Sequence, residues 1–397
     1  MPPLRKTGFS KVRLDNAGRD SQNTVFGEHI VANRRPKINV KFNYNVATYD
    51  TVTTVANNGT VTHSGDVAVI SSSTTTNGSA ILESKEVVQY ITGQEGYAFF
   101  TAAFLNGGVA DSIQHCGLFD TDDGYYLGFD GTDAIIGEKK ATVQSNTKQN
   151  NWNLDHLDGT GPSGLTVDFT KMNVFKISYG WLGVAPITWE IMGPDGTLHA
   201  FHKTDHTGTL AGTHSENPTF PVSMRITKTD GATDIIIHSA SWAGGTVGLP
   251  VPLALRYFSD TESATGVSTE QVLLNLQNVS TFQSKTNRVI TEPVRVGLST
   301  DGTKNALIKM YVNIPITAPS WANIDSVNSV TQKDVVGTIT PDDAYLVWEY
   351  PMAKVDSLID SFQELQSHLH PGDTLTITGQ SASNTDIELA IRWTEAF

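Results

Sequence analysis

The run NVFKISYGWLGVAPITWEI, residues 173–191, alternates large apolar side chains with small or polar ones. One face of each half is apolar: Phe175, Ile177, Tyr179 and Trp181 in the first, Ile187, Trp189 and Ile191 in the second. Because side chains alternate between the faces of a strand, this period predicts strands at 173–181 and 187–192, joined by a turn. Alternation this strong favours a buried core. A sugar-binding groove lined by the aromatic rings is the alternative.

The preceding stretch, NNWNLDHLDGTGPSGL at residues 150–165, crowds Asp and His around one Trp and so suggests a catalytic or metal site. Asn, Asp, Gly and Pro, however, favour Asx-turns, left-handed backbone and fixed φ. We therefore predict a loop pinned by the burial of Trp152, Leu154 and Leu157, in which Asp155, His156 and Asp158 are scaffolding. The predicted structural loop motif comprises Trp152, Asn153, Asp155, Asp158, Gly159, Gly161, Gly164, Trp181 and Gly183.

Short β-branched or aromatic runs bounded by Gly, Asn, Asp or Pro continue along most of the 397 residues. This pattern predicts an all-β protein. Glycine and proline cluster at GGTVGLPVP, residues 244–252, which indicates a domain boundary. We expect an antiparallel β-sandwich of jelly-roll or concanavalin-like type over 38–245. A smaller β-rich, sandwich-like domain is expected over 246–397.

One segment of the second domain departs from the strand pattern. Its apolar residues recur at helical spacing: Val355, Leu358, Ile359, Phe362, Leu365 and Leu369. This spacing predicts a short amphipathic helix over about 355–369. Asp356 or Ser357 would cap its start, and Pro371-Gly372 would end it.

The formal net charge is −14, but the charge is unevenly distributed. Residues 1–41 carry nine basic and three acidic side chains, which leaves the rest of the chain at −20. We predict an extended basic anchoring arm over residues 1–37, with a solvated tail of no function as the alternative. Its anchoring residues would be Arg5, Lys6, Lys11, Arg13, Arg19, Arg34 and Arg35. The acidic remainder argues against nucleic acid or an anionic membrane as a partner.

Other features of the composition narrow the class of protein. The only cysteine, Cys116, excludes an internal disulfide and is expected to be a small buried residue. A membrane span needs about 18 consecutive apolar residues, and none is present. The first 20 residues lack the apolar centre of a signal peptide.

Two polar clusters contain residue types that can bind a metal ion. Asp120, Asp122, Asp123, Asp130 and Asp133 do not fit the EF-hand spacing, which favours turns, although an irregular calcium site over 120–133 stays open. The second cluster contains His199, His202, His206 and Asp205. On a strand, His199 and His202 would face opposite sides of the sheet, so no metal site is predicted there, and a tetrahedral site stays open only through a turn.

The sequence offers no catalytic motif. It lacks a nucleophile elbow, a phosphate-binding loop and a dinucleotide-binding unit, and nothing selects a carboxylate pair such as that of a glycosidase. We therefore expect a protein that is not an enzyme, with no catalytic residues, no bound metal and no cofactor.

The loop and hairpin also carry a family resemblance. Residues 152–164, 181–185 and 217–222 resemble a segment that recurs in structural proteins of tailed bacteriophages and of some large viruses. That segment has a Trp-Asn-x-Asp-x-Leu-Asp-Gly-Thr-Gly-x-Ser-Gly loop, a Trp-Leu-Gly-Val/Phe-Gly turn and a later Asn-Pro-Thr-Leu-Pro-Val. The present chain departs at Ala185, where Gly is usual, and at Phe220, where Leu is usual. Residues 25–45 and 371–397 are similar to the beginning and end of the same group.

The resemblance implies a non-enzymatic virion component: a capsid decoration, a head fibre, or a tail or baseplate appendage. Its partners would be major capsid or tail and baseplate proteins, with a homo-oligomer, most simply a trimer, as the assembled form. It would assemble in the host cytoplasm and lie on the virion surface. A receptor- or host-glycan-binding module is the alternative function, and a capsule-degrading hydrolase is a weaker one.

Overall fold

The computed structural model describes residues 34–248, 255–301, 304–361 and 368–397. The chain divides into two compact units, Met1–Leu249 and Pro250–Phe397. The strand pairs in both units are antiparallel, which confirms the all-β prediction. Within the described ranges, helical structure is limited to the single 3-10 turns Gln149–Asn151 and Asp343–Tyr345. Neither turn approaches the length or apolar character of a membrane-crossing helix.

The first unit contains sixteen described strands. They are β1 Arg34–Lys41, β2 Thr51–Ala56, β3 Thr60–Ser64, β4 Val67–Ser71, β5 Ser79–Val88, β6 Glu95–Phe104, β7 Ser112–Phe119, β8 Gly124–Asp130, β9 Asp133–Lys140, β10 Val143–Lys148, β11 Asn173–Tyr179, β12 Ile187–Met192, β13 Leu198–Thr204, β14 Phe220–Lys228, β15 Ile236–Ser239 and β16 Ser241–Val247.

These strands form a sandwich of two sheets. The nine-stranded sheet has the order β13-β12-β11-β6-β15-β4-β3, with β16 paired to β6 and β1 paired to β16. The seven-stranded sheet has the order β10-β9-β8-β7-β14-β5-β2. One buried apolar cluster draws side chains from both sheets, among them Ile177 of the first and Leu118 of the second. Burial of these alternating positions is the main source of the sandwich's stability.

The predicted hairpin is confirmed as β11 and β12. Their register sets Phe175 opposite Ile191, Ile177 opposite Trp189 and Tyr179 opposite Ile187, and all six side chains are buried. Strand β11 ends at Tyr179, so the half-buried Trp181 lies in the turn rather than on the strand. Leu182 and Gly183 turn the chain there with φ of 40° and 85°. The lone Cys116 is buried in the same core, as predicted.

The second unit contains fourteen described strands. They are β17 Leu255–Val267, β18 Gln271–Asn278, β19 Thr281–Phe282, β20 Lys285–Thr286, β21 Ile290–Thr300, β22 Ala306–Val312, β23 Ile316–Thr317, β24 Ala322–Asn323, β25 Thr331–Asp334, β26 Thr338–Ile339, β27 Leu346–Met352, β28 Asp356–Ser361, β29 Thr374–Ser381 and β30 Thr385–Ala396.

Two larger sheets of this unit share one core. Their orders are β17-β30-β21-β28 and β24-β25-β18-β29-β22-β27, and the pairs β19-β20 and β23-β26 are separate. The core combines Val296 and Leu389 from the first sheet with Ile308 and Ile377 from the second. This arrangement agrees with the sandwich-like domain that was predicted.

The predicted helix over 355–369 is wrong where the structure describes it. Asp356–Ser361 is an edge strand, β28, paired with β21. Leu358 packs on the core, whereas the next residue, Ile359, is 74% exposed. The backbone groups of β21 gain partners by this pairing, and that tertiary contact overrides the local helical spacing. Residues 362–367 lie outside the described ranges, and Leu369 is buried and bridges to Thr291.

The predicted arm falls almost entirely outside the described residues. Arg5, Lys6, Lys11, Arg13 and Arg19 are among those not described. Residues 34–37 belong to β1, which pairs with β16, so the last four residues of the arm are strand. The exposed Arg34 places its guanidinium 5.2 Å from the centre of the Phe99 ring. Arg35 lies next to it in the strand.

Candidate functional site

The Asp-rich loop between β10 and β11 uses its polar groups internally. The carboxylate of Asp155 is 4% exposed and accepts hydrogen bonds from the backbone N–H of Leu157 at 2.7 Å and of Ser163 at 2.8 Å. Burial alone would raise the pKa of Asp155, but the hydrogen bonds from Ser163 and Leu157 outweigh it and keep the pKa below its ordinary value. Asp155 therefore stays ionised as the hub of the loop.

Glycines and a second Asx-turn complete the loop. A Cβ on Gly161 would lie 2.1 Å from Oδ1 of Asp155, so only glycine fits beside that carboxylate. Asp158 accepts hydrogen bonds from the backbone N–H and the hydroxyl of Thr160, at 2.9 and 2.6 Å. Gly159 and Gly164 have φ of 87° and 65°, in the left-handed region. The loop thus has the turn chemistry that its sequence predicts. The predicted burial of Leu154 is wrong, however: this side chain is 40% exposed, and Trp152 and Leu157 are the buried anchors.

The start of the loop is fastened to β13. The Trp152 ring is 3% exposed, packs 4.6 Å from the Phe201 ring and donates from Nε1 to the carbonyl of Thr147 at 3.2 Å. The Asn153 amide donates to the carbonyl of Lys203 at 2.8 Å and accepts from the Lys203 N–H at 3.0 Å. These contacts fix the part of β13 that leads into residues 205–219.

The Trp-Leu-Gly turn and the acidic turn hold the segment 205–219 from two other sides. Nε1 of Trp181 donates to the carbonyl of Ser215 at 3.3 Å, and the N–H of His214 donates to the carbonyl of Gly183 at 2.8 Å. Asp123 accepts from the N–H of Glu216 at 2.9 Å. The residues that carry the family resemblance therefore position the His214 segment.

That segment brings two histidines to a carboxylate of the facing sheet. Nε2 of His206 lies 2.6 Å from Oε2 of Glu138, which projects from β9. The His206 and His214 rings stack with centroids 5.1 Å apart. One ligand atom from each of Glu138, His206 and His214 lies within 4.8 Å of the other two. This is the strongest candidate metal-binding geometry among the described residues.

The pKa values of the two histidines are shifted in opposite directions. The hydrogen bond to Glu138 raises the pKa of His206 above its ordinary value, although burial opposes it. Burial lowers the pKa of His214 to about 4, despite the opposing influence of Glu138 and of the Trp181 carbonyl. Glu138 thus favours the protonated form of His206, whereas His214 is a neutral base at neutral pH.

The His214 ring is held by its neighbours. Its Nδ1 lies 2.9 Å from the Tyr125 hydroxyl, which also lies 3.3 Å from Oγ of Ser215. The other ring nitrogen, Nε2, is buried and has no hydrogen-bond partner. Burial holds the pKa of Tyr125 well above its ordinary value, so the phenol stays neutral.

A cleft of about 350 Å³ opens beside Glu138 and His206. Its remaining walls come from β9, β10, β13 and the loop: Ile136, Gly137, Ser145, Thr147, Asn153, His202, Lys203, Thr204 and Asp205. None of these described lining residues is Trp, Tyr or Phe. The cleft therefore offers polar contacts and two imidazoles rather than a flat platform for stacking.

The predicted parity of His199 and His202 is wrong. The register of β12 and β13 shifts between Trp189 and Glu190, so His199 lies opposite Ile191 and His202 lies opposite Trp189. Ile191 and Trp189 are two residues apart and share a face, which puts both histidines on that face. Neither His199 nor His202 belongs to the cluster of Glu138, His206 and His214. His206 is the one histidine of the 199–206 stretch that does.

The carboxylates of the acidic stretch 120–133 accept hydrogen bonds or form ion pairs within the protein. Asp120 accepts from the N–H groups of Asp122 and Asp123, both at 2.8 Å. Asp130 accepts from the side-chain amide of Asn146 at 3.0 Å, and Asp133 forms an ion pair of 2.7 Å with Lys148. These contacts are those expected of turn-forming carboxylates.

The sequence does not single out Glu138 and His214 as site residues. They lie on β9 and in the segment between β13 and β14, and no local spacing connects them. The one available signal was parity: Glu138 shares a strand face with the core residue Ile136, an unusual position for a carboxylate.

No protein-family model matches the chain, and no curated protein matches it. Among solved structures, it is similar to a protein of unknown function from Shewanella oneidensis MR-1, with 14% identity and a TM-score of 0.34, covering 62% of this chain and 96% of that one. It is also similar to the metal-free lectin I-B4 from Griffonia simplicifolia, with 15% identity, a TM-score of 0.33 and coverages of 53% and 99%. A glycosyl hydrolase family protein from Mycobacterium fortuitum gives 9% identity, a TM-score of 0.37 and coverages of 53% and 99%. No function is carried over from these three proteins.

Proposed function

We propose that this chain is a non-enzymatic structural protein of a bacteriophage virion. It would attach to the capsid or tail through its basic N-terminal arm and expose its β-rich body as a capsid decoration, head fibre, or tail or baseplate appendage. The observation that carries the proposal is the loop–hairpin module of residues 152–164 and 181–185, on which the resemblance to virion proteins rests.

The chemistry of the module supports a structural role for it. Asp155 and Asp158, the acidic residues that first suggested catalysis, accept hydrogen bonds within their own loop. Trp152 is buried, and Gly161 has room for no side chain. A module whose polar groups are satisfied internally serves as a rigid part of the fold.

The charge distribution supports attachment through the arm. Residues 1–41 carry a net charge of +6 and the rest of the chain −20, so the arm suits an acidic neighbouring surface. The described body begins at β1, directly after residue 33. Major capsid proteins or tail and baseplate proteins would be the partners, and a homotrimer the assembled form. The protein would assemble in the host cytoplasm and reside on the virion surface.

The alternative functions have weaker support. An aromatic platform would favour a glycan-binding module. The described residues lining the cleft include no Trp, Tyr or Phe, and the exposed rings of Tyr44, Tyr49 and Tyr257 are not among them. A hydrolase of the two-carboxylate type needs a general acid of raised pKa. Of the cleft carboxylates, Asp205 has its pKa lowered by hydrogen bonds from Thr207, which is the opposite direction.

The proposal is tested by incorporation into particles. A chain lacking residues 1–33 retains all of β1, so its body should fold with an unchanged melting temperature. Phage lacking the gene would be complemented with this truncation or with the full chain, and purified particles assayed by mass spectrometry. The proposal expects the full chain in the particles and the truncation absent. Normal incorporation of the truncation would refute attachment through the arm, and absence of the full chain would refute the virion assignment.

A further inference from the structure

We propose that Glu138, His206 and His214 bind one divalent transition-metal ion, best fitted by Zn²⁺. The site would lie where β9 of the seven-stranded sheet meets the segment 205–219. This inference does not depend on the proposed virion role.

The donor set suits zinc. Two imidazole nitrogens and one carboxylate oxygen are typical zinc ligands, bound at about 2.0–2.2 Å. The three candidate ligand atoms already lie within 4.8 Å of one another. Nε2 of His206 and Oε2 of Glu138, at 2.6 Å, now share a proton. Ligands of a tetrahedral ion are about 3.3 Å apart by the same bond lengths, so this pair must separate slightly as the ion replaces the proton.

His214 provides an independent observation. Its side chain is 96% buried, because the residue is 4% exposed, and Nε2 has no hydrogen-bond partner. A buried polar atom without a partner costs stability, so its retention calls for an explanation. A metal ion at Nε2 would supply the missing partner.

The surroundings of His214 are those of a metal-bound histidine. The Tyr125 hydroxyl forms a hydrogen bond with Nδ1 of His214 at 2.9 Å and lies 3.3 Å from Oγ of Ser215, which fixes the orientation of the ring and leaves Nε2 as the nitrogen available to an ion. Such outer hydrogen bonds orient the ligating nitrogen and raise its basicity. With its pKa lowered to about 4, His214 is neutral at physiological pH and no proton competes for its lone pair.

The charges around the site determine how binding depends on pH. His206 and Glu138 form an ion pair in the metal-free protein, with Asp205 also raising the pKa of His206. The Lys140 ammonium donates to the carbonyl of Thr213, beside His214. An incoming ion must displace the His206 proton and tolerate the Lys140 charge. Affinity should therefore fall at acid pH, because histidine and carboxylate ligands must be deprotonated to bind an ion.

The cleft explains why three protein ligands are enough. It adjoins Glu138 and His206 and holds about 350 Å³, with Ser145 and Thr147 in its wall. Solvent entering from the cleft can take the fourth position of a tetrahedral ion. An ion held in this way would fasten the segment 205–219 to the facing sheet.

The test uses the full, untagged chain after dialysis against a chelator. Zn²⁺ is titrated in competition with a chromophoric chelator at pH 7.5. We expect one ion per chain, and both His206→Gln and His214→Ala should weaken binding more than about tenfold. His199→Ala is the matched control, because His199 lies on β13 outside the cluster, and it should bind as the wild type does. The proposal would be overturned if the wild-type chain did not bind Zn²⁺ stoichiometrically, or if both cluster variants bound it as tightly as the wild type.

Two further readouts separate ligation from folding. If His214→Ala does not fold, His206→Gln provides the test, because His206 is only half-buried. The fold of this variant is checked by comparing its near-ultraviolet circular dichroism with that of the wild type. Tyr125→Phe leaves all three ligands in place but should lower Zn²⁺ affinity about tenfold. An unchanged Zn²⁺ affinity in Tyr125→Phe would contradict the orienting role of its hydroxyl.

Discussion

Nε2 of His206 lies 2.6 Å from Oε2 of Glu138, and this contact joins the segment after β13 to β9 of the facing sheet. Both side chains are largely withdrawn from solvent, at 19% and 15% exposed. The two sheets of the first unit are thus linked at this end by a charge-assisted hydrogen bond as well as by their apolar core.

We predict that this pair makes stability depend on pH in a defined direction. Glu138 raises the folded-state pKa of His206 above 6.5. The stabilisation is therefore fully present below about pH 6.5 and is lost as the pH rises through the raised folded-state pKa. In metal-free protein, Glu138→Gln should destabilise the first unit more at pH 6 than at pH 8, measured by urea unfolding. His214, whose pKa is lowered, acts in the opposite direction but is retained in both proteins. A destabilisation that is equal at both pH values would contradict the ion pair.

Trp152→Ala should destabilise the first unit by about 3–5 kcal/mol, the usual cost of removing a buried aromatic ring. The ring is 3% exposed and packs on Phe201. Leu154→Ala is the control, because Leu154 lies in the same loop but is 40% exposed, and it should cost much less. Guanidinium unfolding monitored by circular dichroism would measure both. An unchanged free energy of unfolding for Trp152→Ala would show that the loop is not pinned by this ring.

Gly161→Ala should cost about 1–3 kcal/mol, because the new methyl group would lie 2.1 Å from the Asp155 carboxylate and must push the loop apart. Gly212→Ala provides a matched control: its nearest atom beyond the chain neighbours is Nζ of Lys140 at 3.9 Å. The control should change the melting temperature little. Equal effects of the two substitutions would argue against the Asp155-centred loop.

Leu358→Asp and Ile359→Asp distinguish the observed strand from the helix that the spacing predicts. In β28, Leu358 packs on the core of the second unit, whereas Ile359 is 74% exposed. Leu358→Asp should therefore destabilise this unit clearly, and Ile359→Asp should be nearly neutral. A helix with both residues on its apolar face would make both substitutions costly. Thermal unfolding of the two variants decides between these outcomes.

Most of the first unit's fold could be predicted from the sequence because its signal is local. Period-two alternation in 173–191 corresponds to the buried positions of β11 and β12. The helical spacing after residue 355 was misleading. Its six apolar positions fit one face of a helix, but the edge of β21 offers hydrogen-bond partners to the backbone of Asp356–Ser361, which forms a strand instead. Local periodicity cannot weigh such a distant edge.

The candidate site was less predictable because its parts are distant in sequence. Glu138 and His206 are 68 residues apart and meet only when the two sheets pack together. The bulge in β13 places His199 and His202 on one face of the sheet. It has no obvious sequence signal, so the prediction that the two side chains face opposite sides was wrong. The roles of the loop residues were more predictable, because Asx-turns and glycine backbone conformations depend on residues close in sequence.

The central claim is that this chain is a component of the virion surface. It is tested most directly by cryo-electron microscopy of intact particles of the phage that encodes the chain. The account predicts a two-unit β-rich body on the outside of the head or tail, with residues 1–33 lying on a neighbouring virion protein. Particles that contain the chain but lack density for it on their surface would contradict this account, as would purified particles that lack the chain altogether.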